Sequence, residues 1–281
     1  MHLAHSIKEV KALIREARGQ GQTIGFVPTM GHLHEGHLTL MREAKINTDF
    51  VVVSIFVNPL QFGVGEDYED YPRDLSRDGI LAEQAGVDIV FAPRVKEMYP
   101  GGYSTFVEVQ KLTDNLCGNS RPDHFKGVTT VVTKLFNIIE PDIAFFGQKD
   151  AQQSLVLQKM VSDLNMNLQI AVIPIVRESD GLAMSSRNSY LNSVERTAAL
   201  VLSKSLEQAR KLIESGERDA EIIKRDISRL ISAEPIAKID YVEIMSVADI
   251  EEVQEIRGKA LIALAVFVGR TRLIDNVIVE V

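Results

Sequence analysis

The chain repeatedly alternates short, uninterrupted apolar runs with stretches in which apolar residues recur every three or four positions. The apolar runs cover residues 24–27, 50–57, 87–91, 143–146 and 168–176. The stretches with helical spacing cover residues 38–44, 75–84, 128–139 and 152–164. Apolar runs without polar alternation are typical of parallel strands buried on both faces, and helices between them cover such a sheet. The alternation predicts an α/β fold with a doubly wound parallel sheet.

The pattern changes after about residue 177. A polar, Ser-rich segment at residues 179–193 is followed by long helical patterns at 194–215 and 220–231. Three further apolar runs cover residues 239–244, 260–268 and 276–281. Two helices covering a small sheet form an α+β layer, and a length of 281 residues is typical of two domains. The sequence therefore predicts a Rossmann-like domain at 1–176 and a smaller α+β C-terminal domain at 177–281.

Composition excludes several classes of protein. The 31 Lys and Arg residues are outnumbered by 39 Asp and Glu residues, so a broad surface for nucleic acid is not expected. Cys117 is the only cysteine, which excludes an internal disulfide and favours a reducing compartment. Neither a signal peptide nor an apolar stretch of roughly 18 residues is present, so we expect a soluble, cytoplasmic protein without membrane contact.

A first polar motif follows the predicted strand at 24–27. It reads Pro-Thr-Met-Gly-His-Leu-His-Glu-Gly-His and leads into the next helix. Gly31 and Gly36 allow the backbone to approach a ligand closely, and a helix N-terminus offers unpaired N–H groups to an anion. His34 and His37 can both face that anion and donate hydrogen bonds to it. A phosphate site is favoured over two alternatives, which are histidines that only cap or pack, and a zinc site without a third local ligand.

Two further motifs also follow predicted strands. Gln61 comes just after the run at 50–57, at the strand end where ligands of open α/β sheets bind, although a surface turn is the alternative. The run at 143–146 is followed by Gly147, Gln148, Lys149 and Asp150, and then by Gln153 in the next helix. Lys149 offers a point charge to phosphates, whereas Asp150 alone could be a helix N-cap. Gln153 is suited to a small polar substrate.

The third motif is the polar segment at residues 180–188. It contains Ser185, Ser186 and Arg187, and it begins with Asp180-Gly181. Hydroxyl and guanidinium donors in a loop suit a cover that closes on a triphosphate and excludes water. A polar linker between domains is the alternative.

These motifs together resemble one enzyme family. His34-Glu35-Gly36-His37 resembles the signature of nucleotidylyl transferases and class I aminoacyl-tRNA synthetases, and the longer string from residue 28 is similar to that of the pantothenate synthetases. Matching segments continue in the order of that family at residues 58–62, 66–68, 71–74, 98–100, 116–122, 124–128, 147–150, 180–188 and 269–276. Asp123 stands where the family pattern has glycine. The segment at 269–276 is either a basic turn between strands or a contributor beside the nucleotide.

The resemblance implies a reaction and a set of residues. The pantothenate synthetases activate pantoate with ATP as an acyl-adenylate and then join it to β-alanine, releasing AMP and pyrophosphate. The implied catalytic set is His34, His37, Lys149, Ser185, Ser186 and Arg187, with His37 as the proton donor. The implied nucleotide-binding set adds Met30, Gly31, Gly36, Gly147, Gln148, Asp150, Val176 and Met184. Gln61 and Gln153 would hold pantoate.

The same resemblance implies the partners of the chain. ATP would arrive with Mg²⁺ held by phosphates and water, with no protein ligand named. The protein would be a homodimer, with its first domain binding nucleotide and pantoate and its second domain acting as a lid. Rival functions are a nucleotidylyl transferase acting on another small carboxylate or phosphate, a class I tRNA synthetase, and a nucleotide-binding module without turnover.

Overall fold

A computed structural model describes all 281 residues, which divide into two compact units. The first unit comprises Met1–Gln110, Arg121–Gln148 and Gln153–Pro174. The second unit comprises Lys111–Ser120, Lys149–Gln152 and Ile175–Val281. Two short segments, Lys111–Ser120 and Lys149–Gln152, thus belong to the second unit, although the sequence placed both in the predicted first domain. The predicted domains 1–176 and 177–281, with the roles given to them, stay a prediction.

The first unit contains a six-stranded sheet. Its strands are β1 (His2–Ala4), β2 (Ile24–Thr29), β3 (Phe50–Ile55), β4 (Ile89–Phe91), β5 (Ile143–Gly147) and β6 (Gln169–Ile173). They lie in the order β1-β4-β3-β2-β5-β6, and every neighbouring pair is parallel. The strand order reverses between β2 and β5, which are direct neighbours. Ligands of open α/β sheets bind at the carboxyl ends of the strands beside such a reversal.

Ten α-helices connect and cover the strands. Their bounds are α1 (Ile7–Gly19), α2 (Glu35–Asn47), α3 (Leu75–Gln84), α4 (Val95–Met98), α5 (Cys117–Ser120), α6 (His124–Ile139), α7 (Ala151–Asp163), α8 (Ser193–Ala198), α9 (Leu200–Glu214) and α10 (Ala220–Ser232). The pattern at 194–215, predicted as one helix, is therefore two helices that meet at Ala199. Side-chain caps mark the start of several helices, such as Asn192 before α8 and Asp219 before α10.

A close packing contact in the first unit sets the position of the segment after β3. Gly127 of α6 lies so near the backbone of Leu60 that an added Cβ would be 2.2 Å from the Leu60 carbonyl oxygen. A side chain at this position would force the two segments apart, because Cβ contacts of that length do not occur. The absence of a side chain therefore allows α6 to fix the turn that carries Gln61.

The second unit contains an antiparallel sheet of three strands, β7 (Ala237–Ser246), β8 (Lys259–Val268) and β9 (Thr271–Glu280). Ile223, Ile227 and Ile231 recur every four residues on α10 and join the buried core of this unit. Burying each of them fully stabilises the fold by about 1.5–3 kcal/mol. The last strand begins at Thr271 and not at residue 276 as predicted, so Asp275 and Asn276 lie inside a strand. The α+β layer and the Rossmann-like α/β fold class are confirmed.

Candidate active site

The first polar motif lies where the sheet of the first unit reverses its strand order. We call residues 30–37 the histidine loop; it connects β2 to α2 and includes the first turn of α2. β2 is buried over nearly its whole length, and its last residue, Thr29, accepts a hydrogen bond at 3.1 Å from the Gly31 N–H. A buried strand therefore places the histidine loop at the carboxyl end of the sheet, where ligands of such sheets bind.

The two imidazoles of the histidine loop close the N-terminus of α2. Nδ1 of His34 accepts from the Gly36 N–H at 3.2 Å, and Nδ1 of His37 accepts from the His34 N–H at 3.4 Å. The two ring centroids are 4.0 Å apart. A neutral imidazole whose Nδ1 accepts carries its proton on Nε2, so both rings present an Nε2–H donor. The prediction that the helix-start amides are unpaired is wrong for His34 and Gly36, whose N–H groups the two imidazoles bind.

A buried carboxylate completes the backbone hydrogen bonding of the histidine loop. Asp78 of α3 accepts from the His32 N–H at 2.7 Å and from the Leu33 N–H at 2.8 Å. Gly31 has φ +85°, and an added Cβ there would lie 2.9 Å from Asp78 Oδ2. The close approach that the structure shows at Gly31 is therefore made by Asp78. The sequence did not identify Asp78 as part of the site.

Gln61 lies in a single 3₁₀ turn, Pro59–Gln61, directly after β3. Its Oε1 accepts from Asn58 Nδ2 at 3.1 Å, and its Nε2 lies 3.2 Å from the sulfur of Met30. Asn58 is buried, donates also to the Gly127 carbonyl at 3.1 Å and accepts from the Tyr99 hydroxyl at 2.8 Å. The structure thus brings Gln61 and Met30 together and fixes which end of the Gln61 amide faces Asn58.

An ion pair holds the backbone of Gln61. Its carbonyl accepts from His124 Nδ1 at 2.8 Å and from Arg121 Nη2 at 3.2 Å, and Arg121 also binds Glu66 at 2.5 Å. Burial alone would raise the pKa of the Glu66 carboxyl, but the hydrogen bonds and charge of Arg121 outweigh it and lower that pKa to about 2. Asp123, between the two donors, adopts the left-handed conformation with φ 63° that glycine favours. The unusual residue at 123 therefore keeps a glycine-like turn.

The motif after β5 passes from the first unit into the second. Gly147 ends β5, Gln148–Asp150 form a 3₁₀ turn, and α7 begins at Ala151. Gln153 is half-buried, three residues into α7. That Gln153 and Gln61 together bind pantoate stays a prediction.

In the second unit, Lys149 lies beside the third motif. The carbonyl of Lys149 accepts a hydrogen bond at 3.0 Å from the side-chain amide of Asn276 in β9. A small cavity is lined by Lys149, Leu182, Ala183, Ser185, Asn188, Leu202, Leu273, Ile274 and Asp275. The structure therefore brings Lys149 and Ser185 together, and their joint membership of the active site stays a prediction.

We call residues 176–188 the serine loop. It folds back on itself, since the Met184 N–H donates to the Val176 carbonyl at 3.0 Å and Arg177 pairs with Ala183. Its first turn is tied to β9, because Arg177 makes two hydrogen bonds of 2.7 and 2.9 Å with the buried carboxylate of Asp275. The segment at 269–276 therefore fastens both the serine loop and Lys149.

The serine loop ends in a 3₁₀ helix, Ser186–Tyr190, that Ser185 caps by accepting from the Arg187 N–H at 3.2 Å. Ser186 is buried, whereas Ser185 and Arg187 are half-exposed. Closure of the serine loop over a ligand stays a prediction.

Comparison with known proteins identifies the family. The profile of the pantoate-beta-alanine ligase family matches residues 2–278. The chain is 62% identical to a pantothenate synthetase of Heliobacterium modesticaldum over 281 residues, covering 100% of both chains. It is 61% identical to a pantothenate synthetase of Pelotomaculum thermopropionicum, covering 99% of both. The chain belongs to the pantoate-beta-alanine ligase family.

Solved structures of pantoate-beta-alanine ligases share this fold. A pantothenate synthetase from Thermus thermophilus is 43% identical and superimposes with a TM-score of 0.94 over 99% of both chains. A pantoate-beta-alanine ligase from Francisella tularensis, solved with beta-gamma ATP and beta-alanine, is 35% identical, with a TM-score of 0.79 over 99% of this chain and 97% of that one. The resemblance inferred from the motifs is therefore confirmed. None of the helices combines the length and apolar character that a membrane span requires.

Proposed function

We propose that the chain joins pantoate to β-alanine in an ATP-dependent reaction that yields pantothenate, AMP and pyrophosphate. The observation that supports this function most directly is the family match over residues 2–278. The Francisella tularensis relative with beta-gamma ATP and beta-alanine supports two of the three substrates. The chain is thus a ligase that forms a C–N bond.

The reaction has two steps. A pantoate carboxylate oxygen attacks the α-phosphorus of ATP, the bond to the pyrophosphate oxygen breaks, and pantoyl adenylate remains. The β-alanine nitrogen then attacks the pantoyl carbonyl carbon, the bond to AMP breaks, and the amine loses a proton. The first step requires chiefly correct positioning and stabilisation of charge on the phosphate oxygens.

His34 and His37 supply hydrogen-bond donors to those oxygens. Their Nδ1 atoms accept from backbone amides, so the donors are the two Nε2–H groups. Such fixed donors stabilise developing charge without reorganising during the reaction. His37 is also the proton donor of the reaction, as the family resemblance implies.

The second unit supplies further cations and hydroxyls in the same proposal. Lys149 and Arg187 neutralise phosphate charge, and the Ser185 and Ser186 hydroxyls donate to phosphate oxygens. Lys149 and Ser185 line one cavity, which supports their joint role. Ser186 is only 7% exposed, so its hydroxyl would reach a ligand only through a small local movement.

The remaining residues bind the organic parts of the substrates. Gln61 and Gln153 hold pantoate through its hydroxyls and carboxylate. The Gln61 amide is oriented by Asn58, so its nitrogen is the end directed away from Asn58. The nucleotide-binding set, in which the backbone holds the adenosine, is completed by Met30, Gly31, Gly36, Gly147, Gln148, Asp150, Val176 and Met184.

Mg²⁺ enters this proposal as the counter-ion of the triphosphate. The ion would be held by phosphate and water oxygens, and no protein ligand is named for it. The protein acts in the cytoplasm as a homodimer, as the family resemblance implies. Light scattering tests the dimer, with twice the chain mass expected.

The test of the function is the release of pyrophosphate and AMP from ATP, magnesium and pantoate, with and without β-alanine. AMP and pantothenate that form only with all three substrates are expected. Pyrophosphate release without β-alanine-dependent AMP would indicate an adenylyl transferase with another acceptor. No release at all would leave a nucleotide-binding module.

A further inference from the structure

Asp78 is a buried charge to which the proposed chemistry gives no task. It lies in the first turn of α3 and is 1% exposed, on the same helix face as the buried Ala82. A carboxylate removed from water costs several kcal/mol unless it is well hydrogen-bonded. Its position therefore needs an explanation from the groups that surround it.

Those groups are consecutive backbone amides of the histidine loop. Asp78 Oδ2 accepts from the His32 N–H at 2.7 Å, and Oδ1 accepts from the Leu33 N–H at 2.8 Å. His32 has φ 50°, a left-handed conformation that turns successive N–H groups toward one point. Such an arrangement is the concavity that binds anions in many phosphate sites. In this protein the anion in the concavity is the Asp78 carboxylate.

The neighbours of Asp78 reinforce this arrangement. Arg77 Nη2 donates to the Leu33 carbonyl at 3.1 Å, while its Nη1 lies 3.6 Å from Asp78 Oδ1. Gly31 has no Cβ where one would lie 2.9 Å from Asp78 Oδ2. The amides at 31, 32 and 33 are thus all taken by side chains of the protein, since Thr29 accepts from Gly31.

We propose that Asp78 is a positioning residue that occupies the anion-binding concavity of the histidine loop. It fixes residues 31–33, so that His34 starts α2 with its own backbone N–H directed at His37 Nδ1. Because the concavity is filled, a triphosphate is directed to the two Nε2–H groups. This inference rests on the proposed function insofar as His34 and His37 are said to bind phosphate.

The test compares Asp78→Asn, Asp78→Ala and a control in the same helix. Asn replaces one acceptor by a donor that faces an N–H, so we expect kcat for pantothenate to fall at least tenfold, with KM for β-alanine unchanged. In Asp78→Ala we expect added formate, a small carboxylate, to restore part of the lost kcat. Asp74→Ala is the control, because Asp74 caps α3 by accepting from the Arg77 N–H but does not touch the loop. It should keep its kcat and show no response to formate.

A second measurement does not depend on turnover or on the Ala variant folding. In ¹⁵N-histidine-labelled protein, long-range ¹H–¹⁵N spectra should show His34 and His37 as the Nε2–H tautomer, and Asp78→Asn should convert them to a mixture. Wild-type kcat or an unchanged tautomer in folded Asp78→Asn would overturn the proposal, as would a loss in Asp78→Ala that formate does not relieve. If the unaltered protein makes no pantothenate, the proposed function fails while the tautomer spectra still decide the role of Asp78.

Discussion

The histidine loop takes its hydrogen bonds from its own side chains and one nearby helix, whereas the serine loop is fastened to a strand far along the chain. In the histidine loop, His34 and His37 bind backbone amides two and three residues away. In the serine loop, Arg177 pairs with Asp275, 98 residues later. The first loop is therefore closed by its own imidazoles together with one carboxylate of α3, and the second is held by an ion pair to a strand 98 residues later. Variants that remove the histidine caps of the first loop or the ion pair of the second loop test this difference.

The largest effect on activity is expected in the histidine loop. His37→Ala removes one Nε2–H donor and the proposed proton donor, so adenylate formation should fall on the order of a hundredfold or more. The lost cap costs about 1 kcal/mol or less of stability, so the fold should remain. Pyrophosphate release and circular dichroism check both points. His2→Ala, which changes an exposed histidine, is the control. Turnover like that of the unaltered protein would remove His37 from the mechanism.

The largest effect on stability is expected in the serine loop. Asp275→Asn keeps the volume but removes the charge that pairs with Arg177, and Asp275 is 2% exposed. Loss of one partner of such a pair should cost about 2 kcal/mol. Urea unfolding measures this loss, and limited proteolysis should detect cleavage within residues 176–188.

Asp163→Asn is the matched control for Asp275→Asn, because Asp163 pairs with Lys159 while about half exposed. Its unfolding midpoint should not change measurably. If Asp275→Asn resists protease and urea as well as this control does, the ion pair with β9 does not hold the serine loop.

The strands of the first sheet were predicted closely because buried parallel strands carry an unmistakable pattern. The runs at 24–27 and 50–57 became Ile24–Thr29 and Phe50–Ile55. β1 was missed because three residues are too few to show a period. α1 was not predicted although Ser6 caps it and Val10 and Ile14 are spaced four apart, so that signal was present and unused.

The candidate site was predictable only as far as its residues are neighbours in sequence. The histidines, Lys149 and the serines stand in recognisable motifs, whereas Asp78 lies 46 residues from the His32 amide that it binds. One signal could have found Asp78, since a charged residue four positions before Ala82 shares the buried face of α3. Nothing in the sequence predicts that Asp275 pairs with Arg177, because such pairs depend on the assembled sheet.

A smaller effect is expected from the side chain that binds Lys149. Asn276→Ala removes the amide that donates to the Lys149 carbonyl at 3.0 Å. Loss of one such hydrogen bond is worth about threefold to tenfold in binding, so KM for ATP should rise by that factor. Asn47→Ala is the control, since Asn47 also donates to a backbone carbonyl but lies on the exposed end of α2. An unchanged KM would mean that other contacts fix Lys149.

The smallest effect is expected at the rim of the serine loop, where Arg196 binds Glu178 at 2.7 Å and Asp180 at 2.8 Å. The hydrogen bond from Arg196 lowers the pKa of Asp180 below its ordinary 3.8. A carboxyl with a lowered folded-state pKa stabilises the fold above its ordinary pKa, and that contribution is lost as the pH falls further. Arg196→Gln should therefore lower the urea midpoint by roughly 0.1–0.3 M at pH 7, and by less at pH 3.

Salt distinguishes this rim from the buried pair. In 1 M NaCl the difference between Arg196→Gln and the unaltered chain should shrink, because charges at the surface are screened within roughly 3 Å. The loss in Asp275→Asn should persist, since that carboxylate is buried. Arg257→Gln, which breaks a pair exposed on both sides, is the control and should have no measurable effect at either salt concentration. Equal salt sensitivity of the Arg196 and Asp275 variants would mean that the serine loop is held by surface charge throughout, and the contrast with the histidine loop would then rest on charge rather than on distance along the chain.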